Sequence, residues 1–81
     1  MIILKIFGQK NHMISKFNRD KYRVIGMDVN EETLTIKNDE TVIYYKSATE
    51  NLDGFRANFI ETYGEGSISP RCWELIRRML K

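Results

Sequence analysis

His12 is the one histidine of the chain, and Lys16, Arg19 and Lys21 follow it in the same polar, basic connection. An imidazole beside cations can shuttle protons and stabilise a phosphorane-like transition state, the equipment of a metal-independent ribonuclease. A lone histidine in a polar connection serves more often as a plain surface residue, so no catalytic residue is assigned. Cys72, the single cysteine, has no base or second cysteine near it in sequence. It falls on the apolar arc of a helix, which predicts a buried, inert thiol. No spacing of Cys, His and carboxylates resembles a metal site, and Gly64-Glu65-Gly66 lacks the pattern of a phosphate-binding loop. Neither metal nor cofactor is expected.

What remains is charge, and it is divided along the chain. Residues 1–23 carry Lys5, Lys10, Lys16, Arg19, Lys21 and Arg23 against Asp20 alone. Residues 24–54 reverse this, with Asp28, Glu31, Glu32, Asp39, Glu40, Glu50 and Asp53 against Lys37 and Lys46. The remainder is mildly basic, so the net charge of +2 conceals a bipolar chain. Segregated charge favours a partner of complementary charge. Solvated turns and helix faces are the plainer reading of the same residues.

At 81 residues and 42% hydrophobic composition, the chain has apolar material for one core and reads as a single domain over residues 1–81. A domain near this size buries roughly 60–65% of its unfolded surface. One cysteine cannot form an internal disulfide, which suits a reducing compartment. The longest apolar stretches, Met1–Leu4 and Val42–Tyr45, are far short of the ~20 residues of a membrane helix. No basic leader precedes a signal-length apolar run. The expectation is a cytoplasmic protein with no membrane partner.

The elements that would position these residues can be read in turn. Met1–Phe7, apolar on both sides except for Lys5, suits an interior strand. Gly8–Lys21 is either a short helix around His12–Phe17 or a functional loop. Tyr22–Lys46 holds three short β-like runs joined by polar turns at Asn30–Thr33 and Asn38-Asp39. In that register Val29 faces Leu34, Met27 faces Ile36, Ile36 faces Thr41 and Leu34 faces Ile43. Ile25, Met27, Val29, Leu34, Ile36, Ile43 and Tyr45 then share the core face. A shift of one residue would select Val42 and Tyr44 instead.

Ser47-Ala48-Thr49-Glu50 has the spacing of a capping box. Leu52, Phe55, Phe59 and Tyr63 form an apolar stripe behind it, predicting a helix that Gly64 ends. A final helix opens at Ser69-Pro70, with Cys72, Trp73, Leu75, Ile76, Met79 and Leu80 on one arc. Arg71, Glu74, Arg77, Arg78 and Lys81 occupy the other arc. The Gly64–Ser69 connection is longer than a helix-turn-helix allows, and Pro70 opens the second helix. The fold class read from this is α+β: a small antiparallel sheet of the N-terminal strand plus a three-stranded meander, then two C-terminal α-helices packed on one face.

The segments Val24-Ile25-Gly26-Met27-Asp28, Leu34-Thr35-Ile36, Thr41-Val42-Ile43-Tyr44-Tyr45 and Leu52-Asp53-Gly54-Phe55 together resemble the KTSC domain family. The resemblance covers about half the chain. It implies a three-stranded meander followed by a helix and a second helical segment, and it implies a fold rather than an activity.

Two functional expectations follow. The first is a small non-enzymatic protein-binding module, of the kind a phage or plasmid uses as an accessory or inhibitor. It would occlude the surface of a larger cytoplasmic protein or protein–nucleic acid complex. Its binding residues would be the acidic turns Glu31, Glu32, Asp39 and Glu40 with the apolar Val42 and Tyr44, joined by Tyr22 and Val24 if that face is bare. The second is RNA or single-stranded DNA binding by Lys16, Arg19, Lys21, Arg23, Arg77, Arg78 and Lys81. An exposed strand edge could also accept a partner strand, and a homodimer is compatible with the sequence.

Overall fold

The computed structural model describes residues 1–52 and 54–80. The elements run β1 (Ile2–Phe7), α1 (Lys10–Lys21), β2 (Asp28–Asn30), β3 (Thr35–Lys37), β4 (Val42–Ser47), β5 (Phe59–Tyr63), a 3-10 turn (Glu65–Ser67) and α2 (Pro70–Met79). The strands form one mixed sheet in the order β2-β3-β4-β1-β5. The α+β class holds, with one sheet and two helices among the described residues. Three details differ from the sequence reading.

First, β1 is interior as its two-sided apolarity demanded, but it runs parallel to both neighbours, β4 and β5. A parallel pair needs a long crossover, and α1 with the β2–β3 hairpin supplies it between β1 and β4. Leu4, Ile6 and Phe7 of β1 are wholly buried. Within Gly8–Lys21, residues Lys10–Lys21 form a helix, with Met13 and Phe17 four residues apart as its buried stripe.

Second, the helix expected after Ser47 does not form. The capping box itself does: the Ser47 N–H donates to the Glu50 carboxylate at 2.5 Å, and the Thr49 N–H donates to Ser47 Oγ at 3.2 Å. It closes only a turn. Gly54 then takes φ +78°, and the chain returns extended as β5. A spacing of four residues satisfies a helix of period 3.6 and a strand of period 2 alike. Phe59 and Tyr63 were thus compatible with either. The β-favouring run Phe59-Ile60-Glu61-Thr62-Tyr63 and an open side of β1 decide for the strand.

Third, the helices pack on opposite faces. Leu4 and Ile6 share a cluster with Cys72, Ile76 and Met79 of α2. Phe7 joins Met13 and Phe17 of α1, with Ile36 and Tyr45. A central strand with two apolar faces needs a cover on each. The α2 start is as expected: the Cys72 N–H donates to Ser69 Oγ at 3.2 Å, with Pro70 behind the cap. Ser69→Ala is expected to cost about 1 kcal/mol, read from urea melts, because the Cys72 N–H loses the hydroxyl it donates to.

The meander of β2, β3 and β4 is antiparallel throughout. Both turns are Asx turns. Asn30 Oδ1 accepts the N–H groups of Glu32 and Thr33, and Asn38 Oδ1 accepts those of Glu40 and Thr41. Val29 pairs with Ile36, and Ile36 with Ile43, a slip of two residues from the expected register at each turn. The slip arises because Leu34 belongs to the first turn, at φ +53°, and the second turn takes in Glu40 and Thr41. A slip of two preserves the faces. Ile36 and Tyr45 are buried, and Met27, Leu34 and Ile43 pack against them. Ile25 and Val29 are the exceptions, 96% and 38% exposed.

Candidate protein-binding face

The face of the sheet that α2 covers is covered only in part. Leu52, Phe55, Ala57 and α2 lie over β1 and reach Tyr44, whose ring meets Phe55 edge-on at 4.9 Å. Farther out, the same face carries Thr35 opposite Tyr44 and Lys37 opposite Val42, then Asp28 opposite Lys37 and Asn30 opposite Thr35. With the turn after β2, these residues form an open concavity of about 910 Å³. Asp28, Glu31, Glu32, Lys37, Val42 and Tyr44 are among its lining. Val42 and Tyr44 are half-buried, Tyr44 at the margin of the α2-side cluster.

Four of the six residues expected to bind protein are brought together here: Glu31, Glu32, Val42 and Tyr44. Asp39 and Glu40 are not. Successive turns of a meander lie at opposite ends of the ladder, and theirs lies beside the N-terminus, whose ammonium donates to the Glu40 carbonyl at 2.6 Å. Tyr22 and Val24 do not join either. Val24 packs into the α1-side core, and Tyr22, 82% exposed, lies near Val29 and Glu31. Glu31 pairs with Lys21, and their hydrogen bond holds the Lys21 ammonium above its usual pKa. Asp28 and Glu32 have no ion pair among the described residues. Asp28, Thr35 and Lys37 were missed as lining residues; their alternation with Val29 and Ile36 was the signal for them.

The basic residues do not form one track. Arg19 and Arg23 are exposed at and beyond the end of α1. Lys16 is tied to Asp20 at 3.2 Å, and Lys21 to Glu31. Arg77 and Arg78 are exposed on α2, across the sheet, and the Arg78 carbonyl accepts from the Arg56 guanidinium at 2.9 Å. Lys81 lies outside the described residues. His12 rests edge-on against Phe7 and Tyr63, with ring centroids 5.2 Å and 6.0 Å away. The Cys72 thiol is buried, and burial raises its pKa.

One polar cluster went unread. The Tyr45 hydroxyl donates to Asp20 Oδ2 at 2.5 Å, and Lys5 and Lys16 approach the same carboxylate at 3.5 Å and 3.2 Å. Burial pushes the Asp20 carboxyl up, but the Tyr45 hydroxyl and the two ammonium groups outweigh it, leaving the pKa below the usual value. Burial, then Asp20, pushes Tyr45 far above an ordinary phenol. The i, i+4 spacing of Lys16 and Asp20 was visible in sequence; Tyr45 and Lys5 come from the sheet.

Among the described residues no group of His, Cys, Asp and Glu could hold a metal ion, and no helix is long and apolar enough to cross a membrane. No family model, no curated protein and no solved structure matches the chain.

Proposed function

We propose that the chain is a protein-binding module that covers a basic surface of a larger partner with the exposed half of its sheet face. The observation that carries this is the concavity itself. Half-buried Val42 and Tyr44 form an apolar floor, and Asp28, Glu31 and Glu32 stand around it with Lys37, Glu31 being paired with Lys21. Apolar floor and charged surround are the anatomy of a docking surface, in which desolvated contacts give affinity and the charges give steering. Carboxylates presented to an Arg- or Lys-rich channel would act as phosphate mimics, which is the occlusion expected of an accessory or inhibitor protein. The separation of the basic residues onto two faces speaks for this reading over nucleic-acid binding.

The test is capture from a lysate of the source cell with three proteins in parallel. The parent should retain a stoichiometric partner, and Asp28→Lys with Glu32→Lys should lose it. Arg77→Glu with Arg78→Glu should keep it. A partner lost only in the arginine variant, or RNA binding that falls steeply with salt and requires those arginines, would replace this reading with the nucleic-acid one. No stoichiometric partner at all would end it.

A further inference from the structure

β2 is an outer strand of the sheet, and its far edge is unpaired among the described residues. The Tyr45 N–H bonds the Leu34 carbonyl at 3.1 Å, and the Asn38 N–H bonds the Thr41 carbonyl at 2.8 Å. Leu34, Ile36 and Asn38 therefore turn their backbone groups toward β4. By antiparallel alternation Thr35 and Lys37 turn theirs toward β2, where they face Asn30 and Asp28. Val29, between those two, points its N–H and C=O away from the sheet. We propose that two copies of the chain associate through this edge, β2 against β2, antiparallel about Val29, joining the five strands of each copy into one continuous sheet.

Three features make the edge self-complementary, as a two-fold interface requires. Val29 would face Val29 of the second copy, the pair exchanging two N–H···O=C bonds at the axis. One residue out, Asp28 would face Asn30 of the second copy. Asn30 has its carbonyl oxygen occupied by Glu32 and Thr33, so its NH2 is what it can offer, and Asp28 has a carboxylate without a partner among the described residues. No like charges meet.

The apolar side chains agree. Val29 lies on the α1 side, opposite Ile36, and is 38% exposed. It shares a hollow of about 300 Å³ with Tyr22, which is 82% exposed, and Ile25, in the connection leading into β2, is 96% exposed. Large apolar residues this bare beside an unpaired edge mark an interaction surface. The other edge is less suited. Self-pairing of β5 about its middle residue would set Glu61 against Glu61, which is destabilising, and Leu80 already bridges to Ala57 just before that strand.

Because Val29 makes no hydrogen bond to β3, Val29→Pro should remove only the outward donor, a substitution edge strands tolerate. Sedimentation equilibrium of the parent should show a monomer–dimer exchange with a dissociation constant on the order of 100 µM. Val29→Pro should raise it at least about tenfold, and Ile25→Lys should raise it too, while Phe59→Lys on β5 should leave it unchanged. Circular dichroism verifies folding, and if the proline variant unfolds, Val29→Lys replaces it. A parent that stays monomeric at about 1 mM, or a dimer that survives the Val29 and Ile25 variants, would overturn the proposal. So would a dimer broken by Phe59→Lys. Val29 also borders the concave face, so the two readings are separated by Ile25→Lys, which lies outside that lining and should weaken the dimer while leaving partner capture intact.

Discussion

Gly8→Ala should destabilise the protein by about 3 kcal/mol or more, a large share of the roughly 4–12 kcal/mol available to a chain of this length. A Cβ at Gly8 would lie 2.4 Å from the Gly64 carbonyl oxygen and 2.7 Å from Ser67 Cβ. The nearest obstacle is backbone, so no rotamer change relieves it. Nor can the two loops part freely, because the Gly8 N–H donates to the Tyr63 carbonyl at 2.9 Å. Gly8 thus joins the end of β1, the start of α1 and the end of β5. Thermal melts should show a midpoint lowered by at least about 12 °C. Adding Ser67→Gly should recover only part of the loss, since the carbonyl remains. A loss below about 1 kcal/mol would mean that the β5–α2 connection moves aside, and that the close approach is not a constraint on the fold.

Asp20→Ala is expected to cost about 2–4 kcal/mol at neutral pH. It removes the acceptor of the buried Tyr45 hydroxyl and leaves Lys5 and Lys16 without their counter-charge. Tyr45→Phe should cost less, about 1.5–3 kcal/mol, because the carboxylate keeps both ammonium groups. The pH dependence distinguishes a charge effect from lost packing. The folded-state pKa of Asp20 lies below its ordinary 3.8, so the unfolded chain takes up the proton first as pH falls. Asp20 therefore contributes stability in full above the unfolded value, and that contribution is lost as pH drops through the folded one. Urea melts of parent and Asp20→Ala should differ most near pH 7 and converge below about pH 3.8. A constant difference across that range would assign the loss to packing alone.

Legibility followed the range of the interactions involved. The α2 start was readable because its determinants are adjacent: a Ser69 hydroxyl within reach of the Cys72 N–H, and Pro70 where no donor is needed. The turns of the meander were readable because each asparagine bonds its own next residues. The capping box at Ser47 was equally local and formed as written, yet no helix followed. A cap lowers the cost of starting a helix, but a tertiary ladder can outbid it. The pairing of Ile60 with Leu4 lies far outside any sequence window. The register slip had a similar source, since the left-handed Leu34 is costly by itself and is held by its bond to Tyr45 and by packing in the α1-side core.

The candidate site divides the same way. Val42 and Tyr44 were recognisable as the second face of a strand apolar on both sides, and Glu31 and Glu32 as turn residues. Whether they met depended on which side each helix took and how far across the sheet it reached. That is settled by the parallel placement of β1 between β4 and β5, which draws both helices to the centre of the sheet and leaves the outer face of the β2–β3 hairpin bare. By itself the sequence determined an α+β chain, an interior first strand, a meander joined by two polar turns and an amphipathic last helix, because each is dictated by periodicity or by hydrogen bonds within a few residues. Only the tertiary structure decided the direction of β1, the strand at Phe59–Tyr63, the separation of the two basic segments and the exposed Val29 edge. These depend on which backbone groups remain unpaired after distant segments have met, and no local pattern encodes that.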